Sequence, residues 1–259
     1  MKRLVLLIAV VAGAARAQTI VDQEQRLIQI HSLLVALDQE TSPGAYRAGE
    51  PSLGIELIVI PTIDGSVGNN KRITASDQTP LFPRPRLAIG LPAPQDFRAF
   101  VGISYLPPIE INSVSSHQGA VELGYAWAPP GPLSVGLRGY ALFAESKSPV
   151  TSATTRDTLD SFDVGGEVSA GYKFDFEPGS VTPFAGAGVT YVNGNFRVTS
   201  DRDLLTANSM NPALNAGVRV YSKLGIEALA ELVVYPGVLI HPVFGLAWNP
   251  NWSRSPQAR

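Results

Sequence analysis

The sequence predicts an all-β fold, an antiparallel up-and-down β-barrel of about ten strands preceded by a short amphipathic helix. Apolar and polar residues alternate over most of residues 50–248, and short connections take turns with long ones. Only 16% of the residues are charged, against about 25% in soluble globular domains. The absence of cysteine excludes a disulfide framework, a thiolate metal site and a cysteine nucleophile. A net charge of −2 gives no reason to expect a nucleic-acid partner.

Residues 1–17 have the pattern of a secretory signal peptide. Lys2 and Arg3 precede an apolar run that ends at Ala12, and the triplet Ala15-Arg16-Ala17 follows as a small-x-small cleavage site. A membrane-spanning helix needs about 20 apolar residues, so this run is too short to be an anchor. We therefore expect export from the cytoplasm.

Residues 18–49 are predicted to hold one amphipathic helix and a linker. Between Ile20 and Leu37 the apolar residues recur at spacings of three, four or seven, and acidic residues such as Asp22 lie in the first turns. The helix is expected to end before Ser42-Pro43-Gly44. Its apolar stripe predicts burial on its own protein; a plug, a periplasmic cap, a contact with a partner helix and a membrane surface remain open as places for it.

From about residue 50 the hydrophobic period changes from 3.6 to 2. The clearest case is residues 162–176, where strict alternation exceeds the roughly five or six residues of an average strand. A strand that crosses a hydrocarbon layer needs about 9–11 residues. The pattern predicts ten strands, at residues 53–62, 82–92, 96–107, 119–128, 132–145, 161–176, 181–193, 210–222, 224–235 and 238–248.

The connections between these strands alternate in length. Those after strands two, four, six and eight are turn-like, as at Pro129-Pro130-Gly131, whereas residues 64–80, 146–160 and 194–208 form long polar loops. Membrane-spanning barrels have short turns at one end and long loops at the other. Two features fit poorly. The connection at Pro236-Gly237 is short where a long one is expected, and Pro242 would remove a hydrogen bond from the last strand.

The two faces of the predicted strands differ in charge. One face collects six acids and six bases, while the opposite face carries none. Glycines between these charges suit the crowded inner wall of a narrow barrel. Opposite charges that leave bulk water need partners, so we expect a charge-paired lumen. The predicted network comprises Glu56, Arg84, Arg86, Arg98, Glu122, Arg138, Asp163, Glu167, Lys173, Arg219, Glu227 and Glu231.

Aromatic residues on the uncharged face sort towards the strand ends. Phe97 and Tyr105 are eight residues apart, which corresponds to about 20 Å along the axis of a tilted strand. Transmembrane barrels have an apolar band about 25 Å tall between two aromatic girdles. We expect a turn-side girdle of Phe97, Trp127, Tyr172, Phe174 and Trp248, and a loop-side girdle of Tyr105, Phe143, Phe162 and Tyr191.

On the signal peptide, the strand pattern, the loop asymmetry and these girdles, residues 50–248 resemble bacterial outer-membrane β-barrel proteins of the small, single-chain, porin-like kind. The resemblance implies a Gram-negative envelope, insertion by the barrel-assembly machinery, and outer-membrane lipid as the surrounding partner. One departure is the C-terminal tail, residues 249–259. Barrels of this kind often end at an aromatic residue, whereas here the tail follows Trp248.

No residue pattern in the sequence points to catalysis, a cofactor or a metal. His31, His117 and His241 are scattered and lack clustered ligands. Ser116 and His117 are neighbours on a strand and would point to opposite faces, which argues against a catalytic pair. Asp64 and Asp77 could be recruited to the mouth of a barrel protease, but no motif supports this. We expect no enzyme activity.

The predicted function is that of a structural or surface-interaction barrel of the cell envelope. Side chains fill the interior of an eight-stranded barrel, and ten strands leave only slightly more room. A narrow porin or small-molecule channel is the main alternative. A barrel enzyme acting on lipid or peptide, and a soluble lipocalin-like binder with its apolar face inside, are further alternatives.

Overall fold

The computed structural model describes residues 20–37, 46–58, 83–111, 114–148, 156–198 and 203–249. The predicted signal peptide, the distal end of the first predicted strand, the loop at 64–80 and the tail beyond Asn249 lie outside these residues. No helix within the described ranges is long and apolar enough to cross a membrane.

The strands close into one antiparallel barrel, which confirms the predicted fold class. Neighbours in sequence pair around the sheet, β1 pairs with β11, and β6 pairs with β8. The three-residue β7 continues β6 along β8 after a break at Lys173, so the barrel has ten strands. The elements are α1 (Ile20–Val35), β1 (Pro51–Ile58), β2 (Pro83–Leu91), β3 (Phe97–Ile111), β4 (Val114–Trp127), β5 (Leu133–Ser148), β6 (Asp157–Tyr172), β7 (Phe174–Phe176), β8 (Gly179–Val198), β9 (Asp203–Ser222), β10 (Ile226–Tyr235) and β11 (Leu239–Trp248).

Three hairpins are longer than the sequence predicted. The β3–β4, β5–β6 and β8–β9 pairs continue through residues that were expected to be loops. Strand pairing depends on backbone hydrogen bonds, which polar side chains do not interrupt, so the loss of alternation is a poor guide to the end of a strand. Arg156 also donates to Glu110 at 2.9 and 2.5 Å and joins two of these hairpins. This hydrogen bond raises the pKa of Arg156.

Strands β10 and β11 explain the two features that fitted the sequence poorly. They have ten residues each and meet at a tight turn at Pro236-Gly237, so this hairpin is simply short. Pro242 stays in register with Leu232, and it lies one residue beyond the last described pair between β1 and β11, Ile58 with Val243. Trp248 pairs with both neighbouring strands and therefore closes the sheet.

Helix α1 lies inside the barrel. Leu33 packs on inward-facing residues of β8, β10 and β11, including Val192 and Val243. The segment that ends at Leu37 packs on β4 and β5, against residues such as Tyr140 and Leu142. Because strands on different sides of the lumen contact one helix, α1 is a plug, which decides among the places that the sequence left open.

The plug runs from the loop end of the barrel towards its middle. Leu27 and Ile28 pack on Leu159, Phe196 and Val198, which belong to the extended hairpins. The C-terminal turn of α1 lies closer to the turn end of the barrel. Further along the chain, Tyr46 stacks on Phe100, with 4.3 Å between the ring centroids. The chain then enters β1 at the turn end, where the Gly49 amide donates to Gly90 at 2.9 Å.

The outer surface of the barrel is apolar. Exposed and buried residues alternate along β2, β4 and β10, and the exposed positions carry apolar side chains, most of them large. Leu123 and Leu137, for example, are 67% and 59% exposed. Soluble monomers rarely expose apolar patches beyond a few hundred Å². An apolar surface that extends around the barrel therefore fits hydrocarbon better than water.

Candidate functional site: a plugged, charge-lined lumen

Buried charges on four strands, β1, β2, β4 and β5, form a continuous chain of ion pairs across the lumen. Glu56 on β1 contacts Arg84 at 2.6 Å and Arg86 at 3.5 Å. Glu122 on β4 then accepts from Arg86 at 2.7 and 2.5 Å and from Arg138 at 2.8 Å. Bidentate guanidinium–carboxylate pairs of this kind are among the stronger hydrogen bonds in proteins.

The same chain of ion pairs holds the C-terminus of the plug. Arg84 donates to the carbonyls of Val35 at 2.5 Å and Ala36 at 2.9 Å. Arg138 donates to the carbonyl of Leu37 at 2.7 Å. Val35 is the last residue of α1, and the other two carbonyls belong to the residues directly after it. The end of a helix has carbonyls without intrahelical partners and carries partial negative charge, so the two guanidinium groups are well suited to bind there. The last turn of α1 has no basic residue of its own, so the barrel wall supplies the cap.

A second group of charges lies on β9 and β10. Arg219 stacks over the Phe184 ring, with its guanidinium carbon 3.8 Å from the ring centroid, and its Nε is 3.7 Å from Glu227. Asn215 donates to Glu231 at 2.7 Å. The two acids on β6 have different partners: Glu167 lies 3.5 Å from Arg138 and so extends the first chain of ion pairs, whereas the carboxylate of Asp163 accepts from the Ser161 hydroxyl at 3.2 Å.

Two residues of the predicted network do not join the buried charges. Arg98 is half-buried and donates to the carbonyls of Gln95 and Phe97, next to its own position in the chain. Lys173 falls in the break between β6 and β7, is half-exposed and pairs with Asp175 at 2.7 Å. Both residues line the space at the turn end of the lumen, outside the chain of buried ion pairs.

Glycines on the inner wall make room for large neighbours. A Cβ added at Gly102 would lie 2.5 Å from the carboxylate of Glu122, which is its register partner on the next strand. Added Cβ atoms at Gly124 and Gly165 would clash with the rings of Phe100 and Tyr140. The small residues therefore match the bulky and charged residues beside them, as expected for a crowded lumen.

Polar contacts also hold one lateral face of α1 against the barrel wall. Gln29 donates to Asn211 at 2.6 Å, and Asn211 in turn donates to Ser209 at 2.9 Å. Gly194 on β8 faces Ile28 closely, since an added Cβ would lie 2.5 Å from its methyl group. The helix is thus held by side-chain hydrogen bonds, by close packing and by the arginine cap.

The turn end of the lumen opens into a vestibule of about 830 Å³. Its walls come from the short turns, and Arg219, Glu227 and Tyr46 lie among its lining residues. Lys223 pairs with Glu177 at its rim. Acidic and basic residues both line the vestibule, so it has no single sign of charge.

Most of the predicted girdle residues are exposed on the outer surface. At the turn side Trp127, Tyr172, Phe174 and Trp248 are exposed, while Phe97 is half-buried and stacks on Tyr125. At the loop side the exposed members are Tyr105, Phe143, Phe162 and Tyr191. The sequence missed Tyr125, Phe176 and Phe244, which are also exposed.

The histidines and Ser116 lie apart from one another. His117 lies on the outer wall between Tyr105 and Phe143, with centroid distances of 5.7 and 6.1 Å, whereas Ser116 is buried inside. His31 is buried in the plug and His241 stacks on Tyr235. Across the described ranges, no group of three or more histidine, cysteine, aspartate or glutamate residues could hold a metal ion.

The arginine cap is the functional feature that the sequence did not reveal. Arg84 and Arg138 were predicted only as partners of acids, because hydrophobic alternation gives the face of a residue but not what lies opposite across the lumen. The helix lacks a basic residue in its last turn and has no glycine directly after it. That uncapped C-terminus is the signal that could have suggested a cap from elsewhere.

Comparison with known proteins reveals distant similarity to other barrels. No family model and no curated protein matches the chain. Among solved structures, the β domain of the Bordetella autotransporter BrkA is 13% identical, with 79% of this chain and 99% of that chain covered and a TM-score of 0.38. The N-terminal β-barrel domain of Pseudomonas aeruginosa OprF is 13% identical, with 78% and 98% covered and a TM-score of 0.29. The P. putida toluene transporter TodX is 11% identical, with 83% and 68% covered and a TM-score of 0.35.

Similarities this distant say nothing about activity or substrate. The barrel's own construction is more informative: its strands close the sheet, its charges lie inside, and its exposed outer side chains are largely apolar. The chain is a closed, ten-stranded, antiparallel β-barrel with charges inside and an apolar outer surface.

Proposed function

We propose that this protein is an outer-membrane barrel of a Gram-negative envelope whose lumen is held closed, and that it serves as a structural or surface-interaction component. Outer-membrane lipid surrounds it, the barrel-assembly machinery inserts it, and it catalyses no reaction. The observation that supports a closed lumen is the cap on α1, where Arg84 and Arg138 bind the last carbonyls of the plug.

Three kinds of contact make the plug hard to displace. Apolar clusters surround it at the level of Leu27, Leu33 and Leu37. The cap arginines are themselves held by Glu56 and Glu122. Moving the helix would leave buried guanidinium groups and carbonyls without partners, and each such group costs about 1–3 kcal/mol or more. A passive channel would not need a helix held in its lumen by so many contacts.

The extended hairpins supply the surface for interaction. Strands β8 and β9 have 20 residues each, about twice the 9–11 residues that cross a hydrocarbon layer. Their loop-end parts therefore stand above the membrane. Exposed loops on a rigid scaffold are the usual site of recognition in proteins.

A narrow channel is the second candidate function, and the vestibule favours it. A water-accessible space of about 830 Å³ already occupies the turn end of the lumen. Conduction would then require only that the plug moves away from the arginine cap. The two candidate functions differ in whether the lumen of the wild-type protein is normally closed or normally conducts.

Conductance across a planar lipid bilayer distinguishes them. We expect the wild-type protein to produce no stable conductance steps, and the double variant Arg84→Met/Arg138→Met to produce intermittent steps because its plug is loosened. Arg98→Met is the matched control, since Arg98 contacts only carbonyls of Gln95 and Phe97 among the described residues. Steady conductance by the wild-type protein, equal to that of the double variant, would contradict the proposal. A faster-migrating band before boiling confirms that each variant is folded.

A further inference from the structure

Two rows of mostly polar residues lie directly above the loop-side girdle on its outer face. The strand registers align β4, β5, β6, β8 and β9 there, and the row at girdle level contains Phe143 and Phe162. Two residues further along each strand, the first row is His117, Glu145, Asp160, Asn195 and Thr206. Two residues beyond that, the second row is Ser115, Lys147, Thr158, Arg197 and Leu204.

Both rows face outward at the level of lipid headgroups. Their members alternate with the buried residues Ser116, Ser146 and Phe196, so they share the face of the girdle. At about 3.3 Å per residue and about 40° tilt, each row lies about 5 Å above the last. Aromatic girdles mark the membrane interface, so the rows stand beside the headgroups of the surrounding lipid.

The first row is a ladder of carboxylate, amide and hydroxyl groups. Asn195 donates to Asp160 at 2.7 Å, and Thr206 donates to Asn195 at 2.7 Å. Glu145 lies directly opposite Asp160 in the register. Like charges in this position destabilise a sheet unless other groups compensate them. Such a row offers acceptors and donors to the hydroxyl groups of a sugar.

The second row contains two basic residues. Lys147 is about half-exposed and reaches Glu145 at 2.9 Å. Arg197 is exposed, and only Thr158 lies between it and Lys147 in the register. Two strand spacings separate the two backbones by about 10 Å, which both side chains can bridge. Long basic side chains at an anionic lipid surface bind phosphate groups.

We propose that these two rows bind the headgroup of a phosphorylated glycolipid in the outer leaflet. Lys147 and Arg197 contact its phosphates, and the ladder around Asn195 contacts its sugar hydroxyls. A plain phospholipid such as phosphatidylglycerol has the phosphate but no sugar ring for the ladder. The inference rests on the proposed function, because it needs the extended hairpins to lie on the outer side of the membrane.

The test compares two anionic lipids on the full-length protein in detergent micelles. Bound lipopolysaccharide and bound phosphatidylglycerol are counted by native mass spectrometry over a range of lipid concentrations. We expect lipopolysaccharide to bind more tightly. The double variant Lys147→Ala/Arg197→Ala should bind it about thirtyfold more weakly, since each basic residue near an anionic surface contributes about fivefold. Lys173→Ala/Lys223→Ala is the matched control: both lysines are half-exposed, pair with an acid and lie at the turn end.

A second pair of variants separates sugar recognition from general attraction to phosphate. Asn195→Ala and Thr206→Val remove the ladder but no charge, and we expect them to weaken lipopolysaccharide binding while phosphatidylglycerol binding stays the same. Equal binding of the two lipids by the wild-type protein would overturn the inference, as would lipopolysaccharide binding that the Lys147/Arg197 variant leaves intact. Neither result bears on whether the lumen conducts, so a failure here is distinct from a failure of the closed-barrel proposal.

Discussion

Replacing Glu122 by alanine should destabilise the barrel by about 3–5 kcal/mol, the cost of removing one member of a buried ion pair. Glu122 accepts from both Arg86 and Arg138, at distances of 2.5–2.8 Å, and its side chain is fully buried. Its removal leaves two guanidinium groups inside the lumen without their central partner. Arg138 also caps the plug, so the loss extends to α1.

Urea unfolding of the protein in lipid vesicles measures this loss. Glu177→Ala is the control, because the exposed pair of Glu177 with Lys223 should contribute only about 0–1 kcal/mol. Glu122→Gln keeps the shape and removes the charge, so it should fall between the two. A midpoint for Glu122→Ala equal to that of the control variant would refute the ion-pair account of the lumen.

Placing an arginine on the outer wall at Leu123 should cost about 2–4 kcal/mol, the value for a basic residue on the lipid face at the membrane midplane. Leu123 is 67% exposed and lies midway along β4, four residues from Trp127 and four from Gly119, the register partner of Tyr105. If water surrounded this wall, an exposed leucine could be replaced by arginine within about 0.5 kcal/mol.

Leu224→Arg is the matched control for that substitution. Leu224 is even more exposed, at 78%, but it lies in the turn between β9 and β10, where the cost near the interface is about 0–1 kcal/mol. The comparison is made by the same unfolding measurement in vesicles. Equal free energies of unfolding for the two arginine variants would exclude hydrocarbon around the barrel wall.

Alternation predicted which side chains point into the lumen, because each side chain in a wall one sheet thick points either inward or outward. In β1, for example, Glu56 is buried while Ile55 and Leu57 are exposed, and the sequence alone assigns each to its side. The same two-residue period located most of the girdle residues. Alternation gives the face of a residue but not its depth in the lumen, so it did not show that Lys173, beyond the end of β6, is half-exposed at the turn end.

The contents of the lumen could not be predicted in this way. The apolar stripe of α1 indicates that something covers it, and a stripe of this width would fit a partner helix as well as the inside of a barrel. Nothing in the local sequence places Val35 beside Arg84, which is 49 residues away. Such contacts arise from closure of the barrel, since closure alone brings β2 and β5 to the same helix end.

Sequence patterns also underestimated the length of the strands. The β5–β6 pairing extends to Ser148 and Asp157, beyond the segment whose outward residues are apolar. In this extension both faces of the hairpin tolerate polar residues, so hydrophobicity does not indicate where the strands end. These extensions provide both proposed surface functions, the hairpin scaffold and the two polar rows.

Fractionation of the cells that make this protein tests most directly whether its uncharged wall contacts lipid. We expect the protein to stay in the outer-membrane fraction through salt and alkaline washes and to be extracted only by detergent. We also expect the extracted protein to migrate faster on a gel before boiling than after, because the closed sheet resists detergent until heated. Release into the soluble fraction without detergent, together with a single unshifted band, would contradict this expectation.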